Sequence, residues 1–455
     1  MTIKSLFIAN RGEIAVRIIK AAKALGIRTI QAASEADTGS LACKLADDVV
    51  VIGPPQAAKS YLDIDAVVAA ITASGADAVH PGYGFLSENP RFVSAVQAAG
   101  VIFVGPDAET IAKMGDKATA RAEAIAAGVP VVPGSEGLIS DLNDARAQAR
   151  RIGYPVMIKA SAGGGGRGIR IVDDEASLET LVPQAMAEAR AAFGNDSLYM
   201  ERYISRARHI EVQVLGDGTD VVHLFERECS LQRKRQKVWE EAPAANLPQR
   251  VRDAICASAV ALAKRVHYKN AGTLEYLYDS ETEEFFFIEM NTRIQVEHPV
   301  TEAITGIDLV QAQLRVAGGE RLWFSQSDIE AKGHAIEVRI NAENPLKMFM
   351  PSPGLITGYA APAGDAVRFD TLLYDGYQIA PYYDSLVGKL IVAANDRASA
   401  IDALTSALDT LKIEGIHTTV PLHKALASNP EVRNGRFHTA WLEGWMGAGG
   451  LSAKS

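Results

Sequence analysis

The segment Phe287-Ile-Glu-Met-Asn-Thr-Arg-Ile-Gln-Val-Glu-His298 places carboxylates, carboxamides, a guanidinium and an imidazole close together, directly after an apolar run. The apolar run is typical of a buried strand. In an extended strand, alternate side chains share a face. The alternation therefore predicts one face shared by Phe287, Glu289 and Asn291, and a core face formed by Phe286, Ile288 and Met290.

The polar face of this strand has the composition of a metal site. Glu289 and Asn291 are hard oxygen ligands two residues apart, which suits Mg²⁺ held beside phosphate groups. A second predicted strand, Thr273-Leu-Glu-Tyr-Leu-Tyr278, brings Glu275 to the same place if the two strands pair in the matching register. The alternative is a solvated face of an antiparallel sheet, but such faces seldom concentrate metal-type ligands so closely.

A glycine-rich stretch, Ala160-Ser-Ala-Gly-Gly-Gly-Gly-Arg-Gly168, lies between two predicted strands, Tyr154 to Lys159 and Ile169 to Val172. Walker and dinucleotide-binding loops both open a helix, so neither template fits this strand-loop-strand pattern. Backbone N–H groups at Gly164, Gly165 and Gly166 can approach a polyphosphate without obstruction by a Cβ atom. Lys159 can neutralise the phosphate charge. Taken alone the stretch is equally compatible with a flexible turn, whereas together with the metal-type cluster it favours nucleotide binding.

The bulk composition is that of a globular protein, with 455 residues, 22% charged and 48% apolar residues. A net charge of −9 gives no electrostatic reason to expect binding to nucleic acid or to an acidic membrane. The apolar runs are shorter than a membrane span and the amino terminus lacks a signal-peptide pattern, so we expect a cytoplasmic location. Cys43, Cys229 and Cys256 form no metal or redox motif and are interpreted as packing thiols.

The first hundred residues alternate apolar strands with helical patterns, which predicts a parallel sheet wrapped by helices. This part resembles a Rossmann-like domain but carries no G-x-G-x-x-G after its first strand. Predicted elements are strands at 5–9, 27–30 and 48–52, a helix at 13–25 and, near the carboxyl terminus, a helix at 397–412. We expect an N-terminal domain (1–113), a central domain (114–333) with a mobile lid at about 130–203, a C-terminal domain (334–446) and a tail (447–455).

Several motifs together resemble those of the biotin carboxylases, within the ATP-grasp group, and the resemblance covers nearly the whole chain. It rests on Ile8-Ala-Asn-Arg-Gly-Glu-Ile14, His80-Pro-Gly-Tyr-Gly-Phe-Leu-Ser-Glu-Asn89, the glycines from Gly163 to Gly168, Glu228-Cys-Ser-Leu-Gln232, Gln236-Lys-Val-Trp-Glu-Glu-Ala-Pro243 and Glu289 to His298. Further matches are His334-Ala-Ile-Glu-Val-Arg-Ile-Asn-Ala-Glu343, Pro351-Ser-Pro-Gly354 and Tyr382-Tyr-Asp-Ser385.

The resemblance implies a Rossmann-like N-terminal domain, a central ATP-grasp domain with a mobile lid and a C-terminal biotin carboxylase domain. It implies an ATP-dependent ligase that phosphorylates bicarbonate to carboxyphosphate and then carboxylates biotin, which is the first half-reaction of a biotin-dependent carboxylase such as acetyl-CoA carboxylase. The implied cofactors are ATP, two Mg²⁺ or Mn²⁺ ions and biotin, and the implied partners are a biotin carboxyl carrier protein and a carboxyltransferase.

The resemblance also assigns roles to individual residues. The nucleotide contacts are Lys117, Lys159, Gly164, Gly165, Gly166, Glu201, Ile204, His209, Glu211, Gln232, Glu275, Leu277 and Glu289. The metal ligands are Glu275, Glu289 and Asn291. Bicarbonate is held by Lys237, Arg293, Gln295, Val296 and Glu297, with Glu297 as general base, while Arg339 stabilises the biotin enolate and Tyr83 contacts biotin.

Two of these residues lie on strands whose alternation can be read directly. In His209-Ile-Glu-Val-Gln-Val214 the apolar residues are expected to pack inward and His209 and Glu211 to lie on a half-exposed face. On the strand that carries Arg339, the face with Glu337 and Asn341 is expected to point outward, which leaves Arg339 free to act.

The chain departs from the family pattern at four positions. Arg202 replaces the usual lysine after the adenine-side glutamate, and Arg235 stands where histidine or asparagine is common. A homodimer is implied by the resemblance, but Ala24 and Asp365 replace residues of the contact between protomers in a well-known bacterial member. The chain also shows no Met-Lys-Met site for biotin attachment, so we expect a free-standing subunit that receives biotin on a separate carrier.

Three other functions share parts of this pattern. A purine-pathway carboxylating ligase has the same kind of nucleotide site but should lack the segment from Arg293 to His298 and the Arg339 strand. A nucleotide-sensing protein with a decayed site is disfavoured because every acid, base and metal ligand is present. An NAD-dependent oxidoreductase would need the dinucleotide fingerprint, which the sequence lacks. The sequence does not indicate whether the final acceptor is an acyl-CoA, urea or a 2-oxo acid.

Overall fold

The computed structural model describes residues 3–135, 137–160, 169–193, 197–362, 364 and 366–451. The predicted glycine loop, with Gly164, Gly165 and Gly166, lies outside these residues, as does Asp365.

The first part of the chain alternates strands and helices, as the sequence predicts. Its elements are β1 (Ser5–Ile8), α1 (Gly12–Ala24), β2 (Arg28–Ser34), α2 (Leu41–Leu45), β3 (Asp48–Gly53), α3 (Ile64–Ser74), β4 (Ala78–His80), α4 (Pro90–Ala98), β5 (Ile102–Phe103) and α5 (Ala108–Gly115). The strands form a parallel sheet in the order β3-β2-β1-β4-β5, which confirms the predicted Rossmann-like architecture.

The strand order reverses beside β1, and in such sheets the carboxyl ends of the strands at this point form a crevice. Asn10 follows β1, and its amide nitrogen donates to the carbonyls of Pro81 at 2.6 Å and Tyr83 at 2.8 Å, just beyond β4. Gly82 has φ +62°, and an added Cβ there would lie 2.8 Å from the Asn10 amide nitrogen. Only glycine permits this approach, which brings Tyr83 to the crevice.

The central part of the chain contains a small sheet and most of a large one. Its elements are α6 (Lys117–Ala126), α7 (Leu142–Ile152), β6 (Val156–Ala160), β7 (Ile169–Val172), α8 (Glu175–Phe193), β8 (Leu198–Arg202), β9 (Arg208–Asp217), β10 (Val221–Arg233), β11 (Gln236–Ala242), α9 (Gln249–Arg265), β12 (Lys269–Asp279), β13 (Glu284–Asn291), α10 (His298–Thr305) and α11 (Leu309–Ala317). The antiparallel sheet β7-β6-β8 packs with α7 and α8 around a core of its own, from Ile139 to Met200.

The last part completes the large sheet and adds a helical layer. Its elements are β14 (His334–Asn341), β15 (Glu343–Asn344), β16 (Met350–Pro351), β17 (Gly354–Leu355), β18 (Gly358–Ala360), β19 (Val367–Thr371), β20 (Gln378–Ile379), β21 (Leu386–Ala394), α12 (Arg397–Thr410), β22 (Lys412–Glu414), α13 (Val420–Ser428), α14 (Pro430–Arg433) and α15 (Trp441–Gly447). Short 3-10 turns lie at Glu35–Asp37, Ala57–Lys59, Gln326–Asp328 and Pro345–Lys347.

The large sheet runs β13-β12-β9-β10-β11-β14-β21-β19 and is antiparallel throughout. The expected boundary between the central and C-terminal domains lies at 333/334. The sheet continues across this boundary, because β11 pairs with β14, with Ala242 opposite Ala335. The polar clusters described below lie along this one sheet.

The prediction for the faces of β13 was wrong at two residues. Glu275 pairs with Glu289 but Tyr276 pairs with Phe287, so Ile288 bulges out of the ladder. Phe287 is consequently buried in the core with Met290, whereas Ile288 is 38% exposed. A bulge adds one residue to one strand and reverses the alternation on one side of it, which a strict period of two cannot anticipate.

Within the described residues, no helix is both long enough and apolar enough to cross a membrane.

Candidate active site

The predicted metal ligands come together on β12 and β13. Glu275 and Glu289 are directly opposite each other in the antiparallel ladder, and the Asn291 amide donates to Glu275 Oε1 at 2.9 Å. Burial and the neighbouring Glu275 raise the pKa of Glu289. Among the described residues, none donates a hydrogen bond to the Glu289 carboxylate, although Lys117 contributes a favourable charge. Two opposed carboxylates, of which Glu289 receives no hydrogen bond from the described residues, are a suitable site for a divalent cation.

Lys237 lies at the centre of the cluster. Its Nζ is 2.6 Å from Glu211 Oε2, 3.0 Å from Glu275 Oε1 and 2.6 Å from Glu297 Oε1. Burial disfavours the ammonium, but the surrounding carboxylates outweigh it and raise the pKa of Lys237 well above its usual range. The lysine is therefore held as a cation between the metal-type carboxylates and Glu297.

Glu297 precedes α10 and is held by two cations. Its second oxygen lies 3.1 Å from Arg339 Nη2, and Arg339 Nε donates to Glu240 at 2.6 Å. Burial opposes ionisation of Glu297, but Lys237, Arg339 and Arg227 together lower its pKa below the usual range. The carboxylate predicted as general base is thus ionised and buried.

The polar face of β9 is buried, not half-exposed as predicted. Glu211 and Gln213 are fully buried and His209 is 8% exposed. This face does not meet solvent because the side chains of Arg227 and Lys237 lie against it and contact Glu211. His209 Nε2 lies 3.1 Å from Glu275 Oε2, and its Nδ1 meets the Gln232 amide at 3.0 Å. Leu277 pairs with His209 in the ladder, so His209 is adjacent to three other predicted nucleotide contacts, namely Gln232, Glu275 and Leu277.

Arg227, which the sequence did not single out, organises this buried face. Its guanidinium is completely buried and donates to Glu211 at 2.6 Å, Gln213 at 2.8 Å and Gln295 at 2.9 Å. Gln295 in turn donates to Glu275 Oε1 at 2.9 Å. The guanidinium thereby fixes the side chains that surround Lys237. The one signal in the sequence is that Arg227 stands among successive polar residues inside a strand, Phe225-Glu-Arg-Glu-Cys229.

Arg293 is placed at the edge of the cluster. Its Nε donates to Glu88 Oε2 at 2.8 Å, and its Nη2 donates to Asn291 Oδ1 at 3.1 Å. Glu88 belongs to the His80-to-Asn89 motif and also accepts from the backbone N–H of Thr292 at 3.0 Å. The N-terminal sheet is tied in this way to the segment that carries the predicted bicarbonate ligands.

Arg339 does not point outward into solvent as predicted. Its side chain is 18% exposed, and Glu337 on the same strand face is fully buried. This face of β14 packs against α10, which covers it. The Nε2 atom of His423 donates to the carbonyl of Arg339 at 2.7 Å and so fixes the backbone of that residue.

The remaining predicted nucleotide contacts line the small sheet and its approach. Lys159 on β6 forms an ion pair with Glu201 on β8, and Ile204 follows β8. Lys117 opens α6 and is exposed. Arg202 pairs with Glu284 on β13 at 2.8 Å, so its charge is directed to the large sheet. Arg235 is exposed in the turn between β10 and β11.

Tyr83 lies near the crevice of the N-terminal sheet, where its hydroxyl donates to Glu13. Both residues line a cavity of about 160 Å³ together with Asn10, Arg11, Gly12, Gly84, Phe85, Asp384 and Leu386. The cavity therefore joins residues of the first and last parts of the chain. Burial, and then the neighbouring Glu13 carboxylate, raise the pKa of the Tyr83 hydroxyl.

Comparison with known proteins gives three family matches in chain order. The biotin carboxylase N-terminal domain matches residues 2–111, the ATP-binding domain of the carbamoyl-phosphate synthase L chain matches 116–324 and the biotin carboxylase C-terminal domain matches 337–444. Together they account for most of the chain.

Relatives match over nearly their full lengths. Biotin carboxylase 1 of Bacillus subtilis is 49% identical over 97% of this chain and 98% of its own, and the biotin carboxylase of Haemophilus influenzae is 49% identical over 98% and 99%. The biotin carboxylase domain dimer of Hydrogenobacter thermophilus 2-oxoglutarate carboxylase, solved with MgADP, ADP and bicarbonate, superimposes with a TM-score of 0.88 at 45% identity over 100% of both chains. The chain therefore belongs to the biotin carboxylase family.

Proposed function

We propose that this chain uses ATP and bicarbonate to carboxylate biotin borne by a separate carrier protein, and that Glu297, Lys237 and Arg339 are the residues at the centre of that reaction. The observation that carries the proposal is the buried contact sequence from Glu275 through Lys237 and Glu297 to Arg339, with distances of 3.0, 2.6 and 3.1 Å. It links a metal-type carboxylate, a general base and a cation suited to an enolate. Neither a purine-pathway ligase nor a nucleotide sensor requires all of these groups together.

The nucleotide occupies the side of the large sheet that faces the small one. Lys117 and Lys159 neutralise its phosphates, while Glu201, Ile204, His209, Gln232 and Leu277 contact its base and ribose. Glu275 and Glu289, supported by Asn291, fit one or two Mg²⁺ or Mn²⁺ ions, because they are opposed carboxylates and burial with mutual repulsion raises the pKa of Glu289. A bound divalent cation would supply charge neutralisation at the phosphates. Gly164, Gly165 and Gly166 remain sequence-based predictions for this site.

Bicarbonate is held by Lys237, Arg293, Gln295 and the backbone N–H of Val296. Arginine suits a planar oxyanion because its guanidinium donates in a fixed fork. Glu297 removes the proton of bicarbonate, and the oxyanion then attacks the γ-phosphate to give carboxyphosphate and ADP. The transfer depends on positioning and electrostatics rather than on covalent catalysis by the protein.

The basicity of Glu297 is set by its surroundings. Lys237 and Arg339 lower its proton affinity when no substrate is present. The negative charge of bicarbonate among the same cations offsets part of their field, so binding of this substrate strengthens the base that it needs.

Biotin enters between the crevice that holds Tyr83 and the strand that holds Arg339. Arg339 stabilises the enolate form of the ureido group by charge. Carboxyphosphate decomposes to CO₂ and phosphate, the basic phosphate removes the ureido N–H proton of biotin, and the enolate nitrogen then attacks CO₂. We also propose a carrier protein and a carboxyltransferase as separate partners, a homodimer in which the exposed Ala24 alters the usual contact, and a cytoplasmic location.

The test is ATP cleavage by the purified chain with bicarbonate, in the presence and absence of free biotin. Cleavage should require bicarbonate and should rise when biotin is added. Omission of bicarbonate is the control for contaminating ATPase. ATP turnover that responds to neither compound would contradict the proposal.

A further inference from the structure

A completely buried lysine, Lys389 on β21, lies next to the reacting residues without belonging to them. Its Nζ donates to the carbonyl of Val296 at 2.8 Å and lies 3.3 Å from Glu13 Oε2. Its side chain has no exposed surface, and Glu13 is 2% exposed. A buried ammonium requires close partners to offset its loss of hydration. Here the partners come from two other regions of the chain, α1 and the segment before α10.

Lys389 and Arg339 act on consecutive residues. The two are direct cross-strand neighbours in the pairing of β14 with β21, so their side chains share a face. Arg339 reaches the Glu297 carboxylate at 3.1 Å, while Lys389 reaches the carbonyl of the peptide bond that joins Val296 to Glu297. One cation therefore orients the side chain of the proposed base, and its neighbour orients the backbone from which that side chain extends.

On its other side Lys389 is connected to the proposed biotin cleft. Glu13 Oε1 accepts a hydrogen bond from the Tyr83 hydroxyl, and Glu13 Oε2 forms the ion pair with Lys389. A continuous series of contacts therefore runs from the cavity wall to the bicarbonate segment, through Tyr83, Glu13, Lys389 and Val296. Of these four groups Glu13 and Lys389 are buried, and Tyr83 and Val296 are partly buried.

We propose that Lys389, paired with Glu13, is a positioning residue that holds the Val296–Glu297 peptide in register with Tyr83, and so couples occupation of the biotin cleft to the geometry of the bicarbonate site. The inference rests on the proposed function. It predicts that loss of the pair affects the response to biotin and the KM for bicarbonate, while nucleotide binding is retained.

The test compares two variants with the wild-type chain. Lys389→Met alone leaves the Glu13 carboxylate buried without the ammonium that offsets its charge, so this variant should melt at a lower temperature. The double variant Glu13→Gln/Lys389→Met removes both charges and keeps an acceptor for the Tyr83 hydroxyl, so it should fold. Lys424→Met, which removes a lysine that is 43% exposed in the same part of the chain, is the matched control.

For the folded double variant we expect biotin stimulation of ATP cleavage to fall at least tenfold and the KM for bicarbonate to rise, with the KM for ATP unchanged. A purely structural role would lower kcat in proportion to the folded fraction and would change neither the stimulation by biotin nor the KM for bicarbonate. A double variant with wild-type biotin stimulation and wild-type KM for bicarbonate would overturn the proposal.

A second measurement separates this inference from the proposed function. Hydrogen exchange at the amides of His298 and Val300, which donate to Gln295 and Glu297, should be about tenfold faster in the double variant than in the wild type. Unchanged exchange there overturns the positioning role. Wild-type protein that shows no biotin stimulation refutes the proposed function, and the exchange comparison still decides whether Lys389 holds the segment.

Discussion

Glu240 and Glu337 are two carboxyl groups that lie directly opposite each other on β11 and β14, and both are fully buried. Within the described part of the chain, neither oxygen of Glu337 has a hydrogen-bond partner. Burial and the facing Glu240 raise the pKa of Glu337, while Lys389 and Arg339 oppose the shift. Like charges in this arrangement repel, so the pair retains a proton at a pH at which free carboxylic acids are ionised.

We predict that Glu337→Gln stabilises the protein increasingly as the pH rises. A carboxyl group whose pKa is raised in the folded state stabilises the fold below its ordinary pKa of 4.5, and this contribution is lost as the pH rises toward the folded-state pKa. Glutamine resembles the neutral acid and carries no such loss. Urea unfolding at pH 5.5 and pH 8 should give a larger gain for the variant at pH 8. An equal difference at both values would show that the pair is already ionised.

We predict that Glu297→Gln separates ATP binding from chemistry. The change preserves shape and one acceptor but removes the base, so biotin-dependent ATP cleavage should fall by a factor on the order of 10² to 10⁴. Glu275 and Glu289 remain intact, so the affinity for ATP in calorimetry should be close to that of the wild type. Near-normal cleavage would exclude Glu297 as the base, and lost ATP affinity would place the residue in the metal site instead.

At the level of single elements, β13 shows what local pattern can and cannot predict. The apolar run predicts the strand itself, and the pairing of Glu275 with Glu289 supplies the matching register that the sequence left as a condition. The bulge at Ile288 does not follow from the sequence, since nothing in an apolar run of three phenylalanines and an isoleucine indicates which residue leaves the ladder. Phe287 packs against its cross-strand partner Tyr276, with ring centroids 6.1 Å apart, a contact that exists only once the two strands have paired.

The bulge predicts opposite effects for two adjacent residues. Phe287→Ala should cost about 3–5 kcal/mol of stability because Phe287 is 3% exposed in the core. Ile288→Ala should cost less than about 1 kcal/mol because the side chain is 38% exposed. Strict alternation gives the reverse order. Thermal or urea unfolding of the two variants, measured side by side, distinguishes the two arrangements.

At the scale of the whole molecule, the large sheet joins parts of the chain that the sequence presents as separate. Motif order predicts the Rossmann-like, ATP-grasp and C-terminal regions, and the described structure has this architecture. The sequence could not show that β11 pairs with β14 or that Lys389 reaches both Val296 and Glu13, because each contact joins residues about a hundred or more positions apart. Arg339, which alternation placed on an outward face, is enclosed by that assembly.

Buried histidines distributed over this assembly predict how it responds to acid. His80, in the N-terminal sheet, accepts from the backbone N–H of Gly82 at 3.0 Å and meets Gln313 at 3.2 Å. His423, in the C-terminal part, donates to the carbonyl of Arg339. Burial lowers the pKa of each imidazole to about 4. Both rings are neutral in the folded protein.

We predict that protonation of these histidines contributes to unfolding as the pH falls from 6.5 toward 4. At these histidines the unfolded chain binds protons in this window and the folded chain does not, so their contribution to stability decreases as the pH falls. Buried carboxyl groups whose pKa is raised, such as Glu337, act in the opposite direction. His423→Gln isolates one contribution, because glutamine can also donate to the Arg339 carbonyl but cannot be protonated. Between pH 7 and pH 5 this variant should lose about 2 kcal/mol less stability than the wild type in urea unfolding. His417→Gln, which removes an exposed histidine from the same part of the chain, is the control and should follow the wild type. Parallel pH dependence of His423→Gln and wild type would mean that the imidazole is already charged in the folded protein, and its bond to the Arg339 carbonyl would then be that of a cation.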